Sequence, residues 1–208
     1  MIRYLLTTLF LLSLLLPAVT TQAGEPSTRE VLAEINLART NPKAYAGFLR
    51  QFRSQFQGKS YRLPDSRTLV MTTEGVRAVD EAIRFLNRQK PLHPLSWSDG
   101  LAEAAADLAE EQAASGTVGH DGRKSGNMRE RIERHGEWQG EIAENIGYGP
   151  AEARAMVLQL IVDDGVPDRG HRTNIYRRAI SVAGIACGPH PTFGTMCVID
   201  FAGGFTGN

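Results

Sequence analysis

The chain has 208 residues, of which 42% are hydrophobic, and this size and composition suffice for one globular domain with a sizeable core. Its 23 basic and 23 acidic residues give a formal charge of zero at pH 7. This balance gives no electrostatic reason to expect nucleic acid or an anionic membrane as a partner.

The first residues have the pattern of a secretory signal peptide. Arg3 supplies a positive charge, residues 5–16 form a short apolar run, and Thr21-Gln22-Ala23 offers small residues for cleavage. The run is shorter than the ~20 apolar residues of a membrane-spanning helix, although an uncleaved anchor is the alternative. We therefore expect residues 1–23 to be removed and residues 24–208 to form a single domain, secreted or periplasmic, monomeric and without a membrane anchor.

The chain up to residue 162 is predicted to be mainly helical, because apolar residues recur there at spacings of three and four. Ser27 and Glu30 fit a capping box that opens the first helix. Ser98 is a suitable cap for the clearest helix, which Gly116 ends. The predicted helices lie between Ser27 and Asn41, over 44–52, from Thr72 or Thr73 to before Pro91, between Ser98 and Gly116, and over 152–162, with loops over 54–71 and much of 116–140.

The C-terminal part changes to strands. Residues 180–187 and 195–201 are rich in β-branched residues and are joined by a glycine- and proline-containing loop, which predicts a hairpin. Cys187 and Cys197 flank this loop, so in an oxidising compartment they are disulfide candidates, with two free buried thiols as the alternative. Helices followed by strands in so short a chain predict one α+β domain, with helices packed against an antiparallel sheet.

Two of the five histidines stand out by their surroundings. His120 and His171 each follow a glycine, which allows close approach of backbone to an imidazole. The other three, His93, His135 and His190, are expected to be solvated surface residues.

Carboxylates occur near these two histidines along the chain. Glu144 lies between them, and Asp163 and Asp164 precede His171. Two imidazoles and two or three carboxylates can bind a divalent metal such as zinc, or they can form a hydrogen-bond network that only stabilises the fold. No short metal-ligand motif, nucleophile elbow or phosphate-binding loop is present, so the residues leave open whether the protein is an enzyme.

Short segments spread over residues 28–203 carry a family resemblance. They are Ile35-Asn36-Leu37-Ala38-Arg39 with Asn41-Pro42, Pro94-Leu95-Ser96-Trp97-Ser98-Asp99-Gly100-Leu101-Ala102, Gly119-His120, Glu144-Asn145-Ile146, His171-Arg172-Thr173-Asn174-Ile175, Gly184-Ile185-Ala186 and Val198-Ile199-Asp200-Phe201. This ordered set resembles the CAP superfamily of cysteine-rich secretory, antigen 5 and pathogenesis-related 1 proteins, which share an SCP-like extracellular domain. The His171 motif resembles that of bacterial members.

The resemblance implies an α–β–α sandwich with a central antiparallel sheet and an open cleft. The family's cleft tetrad of two histidines and two acids corresponds to His120, Glu144 and His171, with Asp163 as the second acid and Asp164 as the alternative. His120 and His171 would then be the metal ligands, for zinc or another divalent ion. The segment 53–92 is longer than is usual in the family and is expected to cover one side of the cleft.

Three functions are compatible with these features, and we rank a non-catalytic binding module first. Its cleft would hold a divalent metal or an apolar or cell-envelope ligand. An interaction protein acting through its outer surface is the second alternative. A metal-dependent, protease-like hydrolase is the third, with a metal at His120 and His171 activating water and Glu144 as general base.

Overall fold

A computed structural model describes residues 26–62 and 69–208, so the expected signal peptide lies outside the described residues. The helices are α1 (Thr28–Thr40), α2 (Pro42–Arg53), α3 (Val76–Arg88), α4 (Asp99–Ser115), α5 (Met128–His135), α6 (Ala153–Val162) and α7 (Gly170–Ile175). The strands are β1 (Phe56–Gln57), β2 (Ser60–Arg62), β3 (Leu69–Met71), β4 (Ser96–Trp97), β5 (Gly136–Tyr148), β6 (Val182–His190) and β7 (Gly194–Gly207). In the two described ranges, every helix is too short or too polar to cross a bilayer.

The main sheet has the strand order β4-β6-β7-β5. The β6–β7 hairpin and the β5–β7 pair are antiparallel, whereas the two-residue strand β4 runs parallel to β6. Cys187 lies directly opposite Cys197 in the hairpin, and the two form the predicted disulfide. The long strand β5 is at one edge of the sheet.

Helices cover both faces of this sheet. Because neighbouring strand residues point to opposite faces, Val198 and Ala202 of β7 pack against α4 and α5, and Ile199 and Phe201 pack against the layer that contains α1, α2, α3 and α6. The predicted α+β class and the α–β–α sandwich are therefore confirmed. The sheet is antiparallel apart from β4.

The helix starts differ from those predicted. The Ser27 side chain makes no capping hydrogen bond, and α3 begins after Gly75 instead of Thr72 or Thr73. A complete capping box instead opens α5, where Asn127 and Glu130 each accept a hydrogen bond from the other's backbone N–H. This helix lies in a segment predicted to be mainly loop, because its eight residues are mostly charged and show little apolar periodicity.

Two regions predicted without strands contain them. Within 54–71, the strands β1, β2 and β3 form a small antiparallel sheet. Strand β5 begins at Gly136 and has a register irregularity between Gln139 and Ile142. Its first half is polar and exposed at the edge of the sheet, so it lacks the alternating pattern that marks a half-buried strand.

We expect Gly184→Ala to lower the free energy of unfolding by about 2 kcal/mol, within the usual range for overpacking. A Cβ at this position in β6 would collide with backbone atoms of Leu101 and Ala102 at the start of α4. Gly188→Ala, in the same strand but with open space around its Cβ, is the matched control and should change stability by less than about 0.5 kcal/mol. Urea unfolding of both variants measures the difference, and equal stabilities would show that α4 does not pack on Gly184.

Candidate functional site

The first carboxylate–imidazole pair joins the loop after α4 to strand β5. Nδ1 of His120 lies 2.7 Å from Oε1 of Glu144. The second oxygen of Glu144 accepts a hydrogen bond from Nη2 of Arg131 on α5. The side chains of Arg131 and Glu144 are buried, whereas the His120 side chain is 54% exposed. The buried ion pair thus presents a carboxylate to an imidazole that solvent can reach.

Arg131 also holds the loop that carries His120. Its Nη1 donates to the carbonyl oxygens of His120, at 3.1 Å, and Gly126, at 2.6 Å. The hydrogen bond to Glu144 raises the pKa of His120 above its usual value. Partial burial of the ring opposes this rise, and the negative charge of Glu144 adds to it. Glu144 therefore orients the ring and stabilises its protonated form.

The second pair lies at the junction of α6 and α7. Asp163 ends α6 in the left-handed conformation, with φ of 55°. Its carboxylate accepts hydrogen bonds from the backbone N–H of His171, at 2.9 Å, and from Nδ1 of the same residue, at 2.6 Å. The Asp163 side chain is buried and that of His171 is 25% exposed. Asp163 therefore fixes both the backbone and the ring of His171.

Asp164, the alternative acid, has different partners. Its carboxylate accepts hydrogen bonds from the backbone N–H groups of Thr73, at 2.6 Å, and Glu74, at 2.8 Å. Glu74 in turn accepts from the backbone N–H of Gly165 and from both terminal nitrogens of Arg169. These reciprocal hydrogen bonds join the segment 53–92 to the loop before His171.

The two pairs lie on opposite sides of the edge strand β5. Glu144 and Asn145 are consecutive strand residues, so their side chains point to opposite faces of the sheet. Asn145 donates to the carbonyl oxygen of His171 at 2.9 Å and accepts from Asn174 at 2.9 Å. The structure thus joins the four predicted residues as two carboxylate–imidazole pairs with β5 between them.

The donor atoms of these pairs do not fit a preassembled four-ligand metal centre. Within residues 26–62 and 69–208, no group of three or more His, Cys, Asp and Glu side chains is arranged to hold a metal ion. Both oxygens of Glu144 and of Asp163 are engaged in hydrogen bonds. In the described part of the chain, the Nε2 atoms of His120 and His171 form no hydrogen bond, so these two nitrogens are the donors that remain.

The remaining histidines differ in their surroundings. His135 contacts Glu103 and Asp107, at 3.1 and 3.0 Å. His190, predicted to be a solvated surface residue, is buried, because it packs against Tyr148 and Phe193 and its Nε2 contacts the carbonyl oxygen of Thr117. The surface prediction for His190 is therefore wrong.

Sequence reasoning missed two charged residues beside the first pair. Arg131 lies in a run of charged residues on the unpredicted helix α5, where nothing distinguishes it from its neighbours. Asp200 lies opposite Glu144 on β7 and is fully buried. An aspartate within the apolar run 198–202 was the available signal for Asp200, because carboxylates are rarely buried without a partner.

Comparisons with known proteins were consistent with the resemblance seen in the sequence. The model of the CAP family, described as the cysteine-rich secretory protein family, matches residues 32–201. One similar solved structure is an extracellular protein containing an SCP domain from Bacillus anthracis, with 16% identity and a TM-score of 0.44 over 61% of this chain and 37% of that protein. Another is an outer surface protein from Borrelia burgdorferi, with 17% identity and a TM-score of 0.45 over 53% of this chain and 78% of that protein. No curated protein matches the chain.

We expect Glu74→Gln to lower the free energy of unfolding by about 1 kcal/mol at pH 7, because it weakens charge-assisted hydrogen bonds to Arg169. Arg169 and the N–H of Gly165 lower the pKa of Glu74 from 4.5 to about 2 in the folded protein. Its contribution is therefore present above the unfolded pKa and is lost as the pH falls towards 2.

Urea unfolding at pH 7, 5 and 3 measures this dependence. Glu141→Gln removes an exposed ion pair with Arg177 and is the control, with little effect expected at any pH. A difference between wild type and Glu74→Gln that stayed constant down to pH 3 would contradict the assigned role of the Glu74 charge.

Proposed function

The chain belongs to the CAP family of cysteine-rich secretory proteins, and we propose that it is an exported, non-catalytic binding module whose ligand contacts the imidazoles of His120 and His171. The observation that carries this proposal is common to both pairs. In each, Nδ1 is bound to a buried carboxylate while the ring itself remains partly exposed.

This arrangement is suited to binding through Nε2. Histidines that bind metals commonly direct their other ring nitrogen to a carboxylate, which fixes the tautomer and the orientation of the ring. A neutral imidazole held in this way offers one nitrogen lone pair to a cation. The donor set supports a divalent cation, such as zinc, held by one or both imidazoles, with water or polar groups of a cell-envelope ligand as the other ligands.

The partial exposure of the rings favours a polar ligand that binds from solvent. The partly exposed ring edges are polar, which suits a cation or another polar group.

The hydrolase alternative has less support from the geometry. A general base needs a carboxylate oxygen within reach of the water whose proton it accepts. Both oxygens of Glu144 are engaged, one by His120 and the other by the buried guanidinium of Arg131. Glu144 is buried and each of its oxygens is held by a neighbouring side chain, so in this arrangement it acts on His120 and not on water.

Zinc binding tests the proposal. We expect saturable zinc binding by the untagged protein, measured by isothermal titration calorimetry, and at least a tenfold loss of affinity in the double variant His120→Ala/His171→Ala. The single variants His120→Ala and His171→Ala show which imidazole binds the ion. His93→Ala is the matched control, since His93 is exposed and lies in a different loop. Circular dichroism would establish that the variants are folded. Wild-type affinity in the double variant His120→Ala/His171→Ala would exclude the two imidazoles as the binding groups.

The proposal also predicts a pH dependence. A proton on Nε2 competes with a bound cation, so zinc affinity should fall between pH 8 and pH 5. Because Glu144 raises the pKa of His120 above 6.5, the loss should begin at a higher pH than for an unperturbed histidine. Calorimetry at constant ionic strength measures this, and an affinity that stays constant over the range would argue against His120 as a ligand.

A further inference from the structure

Asp200 is a buried acid beside the first carboxylate–imidazole pair. It lies on β7, opposite Glu144 on one side and Gly184 on the other. Its side chain is on the same face of the sheet as Val198 and Ala202, which pack against α4 and α5. Asp200 is completely buried, and in the described part of the chain no hydrogen-bond donor reaches either of its carboxyl oxygens.

Among the described residues around Asp200, no positive charge is left to neutralise an ionised carboxylate. Glu144 faces it from β5, Arg131 from α5 and Asp107 from α4, while its neighbour on β6 is a glycine. The guanidinium of Arg131 is already bound to Glu144. An ionised Asp200 would therefore be a second buried carboxylate beside one cation, an arrangement that proteins avoid.

We propose that Asp200 is a positioning residue of the His120 site, which as a neutral acid donates a hydrogen bond to Glu144 and so holds this carboxylate between Arg131 and His120. Burial, and after it the charge of Glu144, raise the pKa of Asp200 well above its usual value. With Asp200 neutral, the buried cation Arg131 is balanced by the buried anion Glu144.

The proton on Asp200 affects the imidazole through Glu144. A donor on Asp200 spreads the negative charge of Glu144 and weakens its attraction for a protonated His120. Without the donor, Glu144 would hold the imidazolium more strongly and Nε2 would remain protonated to a higher pH. The importance of this effect for ligand binding rests on the proposed function, whereas the effect on His120 does not.

The test is the titration of the His120 ring protons by NMR in Asp200→Asn and Asp200→Leu, without any ligand. Asparagine is a neutral donor of the same shape, so we expect the pKa of His120 to change by less than about 0.3 units. Leucine removes the donor, so we expect the pKa to rise by about 0.5 units or more. The two expected results together support a positioning role that a merely structural residue would not have.

Other outcomes would overturn the proposal. If Asp200 were ionised, both substitutions would remove a negative charge and lower the pKa of His120. If Asp200 served stability alone, both variants would titrate like the wild type.

A second measurement covers the case in which Asp200→Leu does not fold. The infrared spectrum of the wild type at pH 7 should contain a carbonyl band of a protonated carboxyl group that is missing in Asp200→Asn, and the absence of such a difference would refute the neutral acid. Because neither measurement involves zinc, a failure of zinc binding is distinguishable from a failure of this inference.

Discussion

The buried ion pair between Arg131 and Glu144 is the interaction on which the first half of the site depends. Arg131 joins three elements through one guanidinium, since it bonds to strand β5 and to two backbone carbonyl oxygens of the loop that carries His120. Both side chains are removed from water, so the loss of either would leave an uncompensated buried charge, which typically costs about 3–5 kcal/mol. The short helix α5, stabilised by its capping box, is therefore required to place the charge that holds Glu144.

The elements with clear periodicity could be predicted from the sequence. Leu101, Ala104 and Leu108 mark the buried face of α4, and the β-branched segments after residue 180 mark the hairpin. Strand β5 and helix α5 could not be predicted, because their stability comes from pairing with β7 and from Arg131, contacts between residues distant in sequence. Local pattern carries no information about such partners.

The residues of the site were easier to find than their arrangement. Motifs identified His120, Glu144 and His171, yet spacing did not distinguish Asp163 from Asp164. The backbone gives the two acids different contacts, because Asp163 ends α6 in a left-handed conformation and its carboxylate meets His171, whereas Asp164 bonds to the residues before α3. The position of β5 between the two pairs could not be predicted either. It depends on the alternation of side chains between the two faces of a strand, and β5 itself was not predicted.

The distribution of burial within each pair relates the fold to the proposed function. The carboxylates are buried and bound by fixed donors, so they cannot readily rearrange, and the imidazoles are the groups that meet solvent. The oxygens of Glu144 and Asp163 are hydrogen-bonded to His120, Arg131 and His171, so in the proposed binding role the carboxylates hold the rings. Two imidazoles oriented by these carboxylates, one in the loop after α4 and the other on α7, provide fixed nitrogen donors at low entropic cost, which favours binding. The proposed neutral state of Asp200 accounts for a fully buried acid beside Glu144, since a neutral donor in that layer stabilises the carboxylate without adding charge.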